Sequence, residues 1–155
     1  MSAAKPSLYE ILTIESNDKE RNADLRLGTI SVDYYEDIFS PTITAKIRVV
    51  NTGDSIASKN NPDGPKQSIY HGLPLRGGER VTLKIKDQGE TKTGLDFSTN
   101  PSDYFYVSSI TDVISETQRE SFTLHLVSRE AITNETSRVI KKYPVSLSIN
   151  DSVKK

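Results

Sequence analysis

The chain has 155 residues, 26% of them charged, with a formal net charge of -1, two histidines and no cysteine. Such a length suits one domain that buries roughly two thirds of the surface its unfolded chain would expose. Mixed charge gives no electrostatic footprint for nucleic acid or an anionic membrane, and the missing cysteines exclude disulfides and thiolate metal sites.

No apolar run approaches ~18 residues, and the opening MSAAKPSLYE lacks the apolar core of a signal peptide. A hydrophobic fraction of 34% points to exposed polar loops or to a fragment of something larger.

Residues 1–7 are small and polar around Pro6 and are expected to fray. The apolar run 8–14 (LYEILTI) suits a first strand, with Tyr9, Ile11 and Thr13 on one face. Residues 16–22 (SNDKERN) read as a charged turn or loop. Over 27–35, alternation predicts a strand with Ile30, Val32 and Tyr34 inward. Residues 37–41 (DIFSP) turn the chain ahead of Pro41. Residues 42–50 then alternate cleanly, Ile43, Ala45, Ile47 and Val49 against Thr42, Thr44, Lys46 and Arg48.

Residues 51–78 form a long irregular region rich in Gly and Pro, with a turn at 62–64. Within it, 67–75 holds one short helical turn or an edge strand, and a loop this long is usually functional or disordered. Residues 79–86 (ERVTLKIK) make a strand with Val81, Leu83 and Ile85 inward. A second loop spans 87–102, anchored by Leu95 and Phe97. Residues 104–114 carry apolar groups on both sides, which implies burial of both faces or a bulge near Ser108 and Ser109.

The strand 121–127 has the sharpest pattern in the chain: Phe122, Leu124 and Leu126 alternate with Ser121, Thr123 and His125. It hands over to a short helix at 129–139, with Ser128 as N-cap, Glu130 in the first turn, and Ile132 and Val139 seven apart on one face. Residues 141–155 are a polar tail broken by Pro144, flexible or a fragment end, in which VSLSI alternates like one more strand. The sum is a mainly β fold: a small antiparallel β-barrel of about six to seven strands in a single domain, 1–155. No helix separates successive strands, which excludes an α/β nucleotide-binding fold.

No reaction class emerges from the side chains. His71 sits in a Gly-rich loop and His125 on an outer strand face, without H-x-H or H-E-x-x-H spacing. The stretch 75–79 (LRGGE) leads into a strand, whereas a phosphate loop leads into a helix, so its glycines serve a tight turn. Asp33, Glu36 and Asp37 with Tyr34 and Tyr35 form an acidic aromatic cluster at a strand end, where solvated acids are commonplace. Their separation would decide whether they are a catalytic pair. Asp63 has half of a calcium loop around it and lacks the rest. Sequons at 134–136 and 150–152 matter only in a secreted protein. No catalytic, cofactor-binding or metal-ligating residue is assigned. The basic outer positions Lys46, Arg48, Lys84 and Lys86 suit acidic neighbours, or solubility and edge protection.

The order of segments ITAKIRVVNT, LPLRGGE, VTLKIKD, FYVSSITDV and SFTLHLVSREAITNETSRV resembles the N-terminal barrel of the central baseplate hub protein of contractile-tailed bacteriophages. The resemblance covers residues 27–139 and is most specific at LPLRGGERVTLKI and LHLVSREAITNETSRV. It implies a tail-tube-like β-barrel that assembles as a ring, three subunits with two such domains each giving pseudo-sixfold symmetry. The implied partners are other copies of the chain, as a trimer or pseudo-hexameric ring, and neighbouring tail or baseplate proteins including tube and spike. No nucleic-acid or membrane contact, no cofactor and no enzymatic residue follows from it, and the implied location is the virion, assembled in the host cytoplasm. Hub proteins are several times longer, with a second barrel and further domains, so the resemblance implies a truncated reading frame or a fragment of such a protein. The rival reading is a β-barrel or sandwich module binding carbohydrate or peptide, which a rim of Tyr34, Tyr35, Tyr70, Tyr104 and Tyr106 would favour. An enzyme would need a concave pocket holding perturbed acids or a histidine.

Overall fold

Strand pairing explains most of the architecture of the computed structural model, which describes residues 7–51, 53–57, 63–86, 94–116, 119–138, 142, 144, 148, 150 and 151. Eight strands are described: β1 (Leu8–Glu15), β2 (Asn22–Asp24), β3 (Thr29–Tyr35), β4 (Thr44–Asn51), β5 (Arg80–Lys86), β6 (Gly94–Phe97), β7 (Phe105–Ser115) and β8 (Glu120–Ser128). Helix α1 (Ile69–Gly72) lies between β4 and β5, a 3-10 turn (Pro101–Asp103) precedes β7, and α2 (Arg129–Thr136) follows β8.

Every pairing is antiparallel, in the order β2-β1-β5-β7-β8-β4-β3, with β6 also on β5. The sheet curls into a half-barrel whose concave face encloses one hydrophobic cluster. The mainly β, barrel-like expectation holds. Among the described residues the strands number eight rather than about six to seven, and the sheet is open, because β2 and β3 end the path without pairing to each other.

β8 is an interior strand of the sheet, set between β7 and β4, and its residues 120–127 pair with the whole of β4. Phe122, Leu124 and Leu126 are buried, opposite Val49, Ile47 and Ala45, because directly paired residues share a face. Each such side chain is worth about 1.5–3 kcal/mol of burial. Strands β4 and β5 likewise bury the faces expected of them, with Ile43 and Ile85 only partly covered.

Two register slips change the predicted facing, and a third settles it. In β1 the register slips between Tyr9 and Ile11, so Leu12 and Ile14, opposite Leu83 and Val81, enter the core in place of Ile11 and Thr13. In β3 a slip between Thr29 and Ser31 turns Ile30 outward, 59% exposed, while Val32 and Tyr34 pack against the core as expected. In β7 a slip falls between Val107 and Ser109, which selects the bulge rather than burial of both faces, and a second lies between Thr111 and Ile114. A one-residue slip reverses every side chain beyond it.

Strand β2 begins at Asn22, where the expected loop 16–22 ends, and carries the buried Ala23. Strand β6 falls inside the expected loop 87–102, and its Phe97 stacks on Phe105 at 4.9 Å between centroids. Helix α2 stops at Thr136, short of 139, and buries no side chain. The Ser128 hydroxyl does not cap it; it accepts a hydrogen bond from the Ile43 amide and ties β8 to the entry of β4. The helix position Val139, the turn residue Pro62, and the VSLSI strand apart from Ser148 lie outside the described residues.

Candidate interaction surface

Two buried carboxylates are occupied by the fold. Glu79, fully buried, accepts from the amides of Arg76 (2.7 Å) and Gly77 (2.9 Å) and from Asn17 Nδ2 (3.0 Å). It clamps the turn in which Gly77 and Gly78 take φ of 105° and 88°, so the glycines of LRGGE do serve a turn. Glu120 accepts from Ser68 Oγ (2.9 Å) and the Tyr70 amide (3.2 Å), fastening the first turn of α1 to the start of β8. His71 Nε2 stands 3.9 Å from the same carboxylate. The Ser68 hydroxyl donates to Glu120 and accepts from the His71 backbone, so no bond joins it to the imidazole. This arrangement caps a helix; it does not activate a nucleophile.

His125 is remote from His71 and hydrogen-bonds Thr111 Oγ1 at 2.9 Å. Among the described residues no three His, Cys, Asp or Glu are grouped as metal ligands would be, and no helix is long and apolar enough to cross a membrane. The long segment 51–78 is pinned at several described points: by Glu120, by an Ile56–Gln67 bridge, and by Arg21 Nη1 on the Gly72 carbonyl.

The basic outer face divides. Lys84 pairs with Glu10 and Asp96, and Lys86 with Glu10, so those charges are met within the molecule. Hydrogen bonds from Lys86 and Lys84 hold the Glu10 carboxyl below its usual range, and the amide and hydroxyl of Ser98 do so strongly for Asp96. Lys46 and Arg48 on β4 have no ion pair among the described residues. Of the expected basic set, half remains for a neighbour.

The five tyrosines do not gather into one rim. Tyr34 leans on Phe97 (5.8 Å), and burial together with its hydrogen bond to Glu36 raises its hydroxyl pKa to about 12. Tyr70 packs on Phe122, and Tyr104 lies under the Arg80 guanidinium with Tyr106 opposite Arg80 across the strands. Only Tyr35 stands free, 52% exposed.

What the fold does present is the outer half of the β3–β4 hairpin. At its tip Ile38 and Phe39 are 92% and 93% exposed. The tip is ordered by its own bonds: the Phe39 amide donates to Asp37 Oδ1, and the Ser40 amide to the Asp37 carbonyl. Asp33, Glu36 and Asp37 flank it, none ion-paired among the described residues. At the opposite end of the hairpin, the convex face holds a groove of about 320 Å³ across β3, β4, β8 and β7. Ile30, Val50 and Ile114 supply its apolar lining, and Arg48, Arg119 and Asp112 its charges. Thr123 also lines it, 6% exposed, with Oγ1 buried and unpartnered.

Sequence reasoning passed over Ile38 and Phe39 as turn residues; their signal is an apolar pair set between acids and a proline where turns are normally polar. No protein-family model matches the chain, and neither a curated protein nor a solved structure matches it.

Proposed function

We propose that this chain is a structural component of a ring: a phage baseplate-hub or tail-tube-like barrel of the virion, acting by self-association and by docking to tube and spike proteins. The observation that supports this reading best is the open sheet. Among the described residues strand β3 ends the pairing path with one edge unpaired, and beside that edge four large apolar side chains (Leu27, Ile30, Ile38, Phe39) stand more than half exposed. A domain that worked alone would gain from covering or charging such an edge. Here the acids Asp33, Glu36 and Asp37 blunt nonspecific pairing while leaving the apolar groups available. The segment resemblance to the hub barrel adds the ring as the form of assembly. The carbohydrate- or peptide-module reading loses its main support, because its tyrosines are dispersed among separate partners.

Light scattering over a concentration series tests the proposal. A trimer or hexamer is expected. A strict monomer at every concentration would overturn the self-associating ring.

A further inference from the structure

We propose that copies of this chain join head to tail, the acidic Ile38–Phe39 hairpin tip of one seating in the arginine-flanked groove between β3, β4, β8 and β7 of the next. The inference rests on the self-association proposed above and names its contact.

The two surfaces match in chemistry. The tip offers two nearly fully exposed apolar side chains with Glu36 and Asp37 beside them. The groove offers Ile30, Val50 and Ile114 with Arg48 and Arg119 at hand, both exposed and without an ion pair among the described residues. Its 320 Å³ corresponds to roughly ten waters, room enough for an aromatic side chain. Asp112 leaves the groove one positive charge in excess, against the negative tip.

The occupant is a second copy because the tip does not reach its own groove. Tip and groove lie at opposite ends of one antiparallel hairpin, separated by the length of β3, roughly 20 Å at 3.3 Å per residue. Two different patches meeting in this way make a heterologous interface, the kind that generates rings when its rotation closes. The tip is small for a whole interface, so it acts as the central anchor of a wider contact along the β3 edge.

Two variants and their mixture test the contact. Ile38→Ser/Phe39→Ser removes the tip and Arg48→Glu/Arg119→Glu reverses the groove; all four positions are exposed, and thermal melts check that the fold is kept. Each variant alone is expected to self-associate at least about ten-fold more weakly than the unaltered chain. Mixed in equal amounts they are expected to form a one-to-one dimer that grows no further, since only one intact tip and one intact groove remain. The chain has no native cysteine, so oxidising a mixture of Phe39→Cys and Ile114→Cys chains should trap the same pair as a disulfide. If the unaltered chain associates while both variants match it, or the mixture stays monomeric and no disulfide pair forms, this contact is wrong and the ring reading survives. If the unaltered chain is monomeric throughout, both fall.

Discussion

Replacing Glu79 by alanine removes the only acceptor shared by the amides of Arg76 and Gly77. The side chain is fully buried, so water does not take its place freely. Each amide left without its acceptor costs about 1–3 kcal/mol, which gives about 2–6 kcal/mol for the two. Both bonds are only partly buried, and Asn17, at the surface, turns to solvent without much loss. The lower half of that range is therefore expected, about 3 kcal/mol, a large share of the roughly 5–15 kcal/mol of a typical domain.

Glu79→Gln separates charge from shape. One terminal atom remains an oxygen that accepts, while the other becomes an amide nitrogen facing a backbone donor, so the cost falls to about 1–2 kcal/mol. Urea unfolding followed by circular dichroism reads both variants as shifts in midpoint at constant m. The reasoning is refuted if Glu79→Ala lies within ~0.5 kcal/mol of the unaltered chain, or if glutamine costs as much as alanine.

Leu124→Ala, at a fully buried position opposite Ile47 and Ile110, should cost about 2–5 kcal/mol, whereas Ile132→Ala on the uncovered helix α2 should stay within ~0.5 kcal/mol in the same denaturation assay. Gly72→Ala places a Cβ 2.4 Å from Ile56 Cβ and should destabilise by about 1–3 kcal/mol; in Ile56→Gly, which removes that Cβ, the cost should shrink, and purely additive losses would contradict the steric reading. Acid should weaken the fold through Glu10, Asp24 and Asp96, whose carboxyls are held below their usual range by Lys86, by Arg26 and by the Ser98 amide respectively. Their folded values lie below their unfolded ones, so the stability they add is present above about pH 4 and is lost as pH falls through the depressed values. Urea midpoints at pH 5, 3 and 2 check this, and added salt should shrink the part carried by Glu10 and its lysines.

The faces of β4, β5 and β8 were legible from the chain because a period of two survives wherever pairing is regular. Residues 44–51 and 120–127 pair without a slip over eight residue pairs, so alternation alone identifies Ala45, Ile47, Val49, Phe122, Leu124 and Leu126 as core. The turn role of Gly77 and Gly78 was equally readable, since glycine takes positive φ at no steric cost.

The tertiary structure decided what depends on partners distant in sequence. Bulges in β1 and β3 reversed Ile11 and Ile30, because register is set by the neighbouring strand and not by local alternation. Strand β2, three residues long, and strand β6, four, are too short to show a period, and each exists because β1 or β5 offers an edge. The burial of Glu79 and Glu120 contradicts their composition and follows from donors 2 to 62 residues away. The groove draws on four strands that lie side by side only once the sheet has paired, so its residues share no signature in the chain. Sequence fixes which side chains want to be covered; only the curled sheet decides which of them, like Ile38 and Phe39, remain uncovered for a partner.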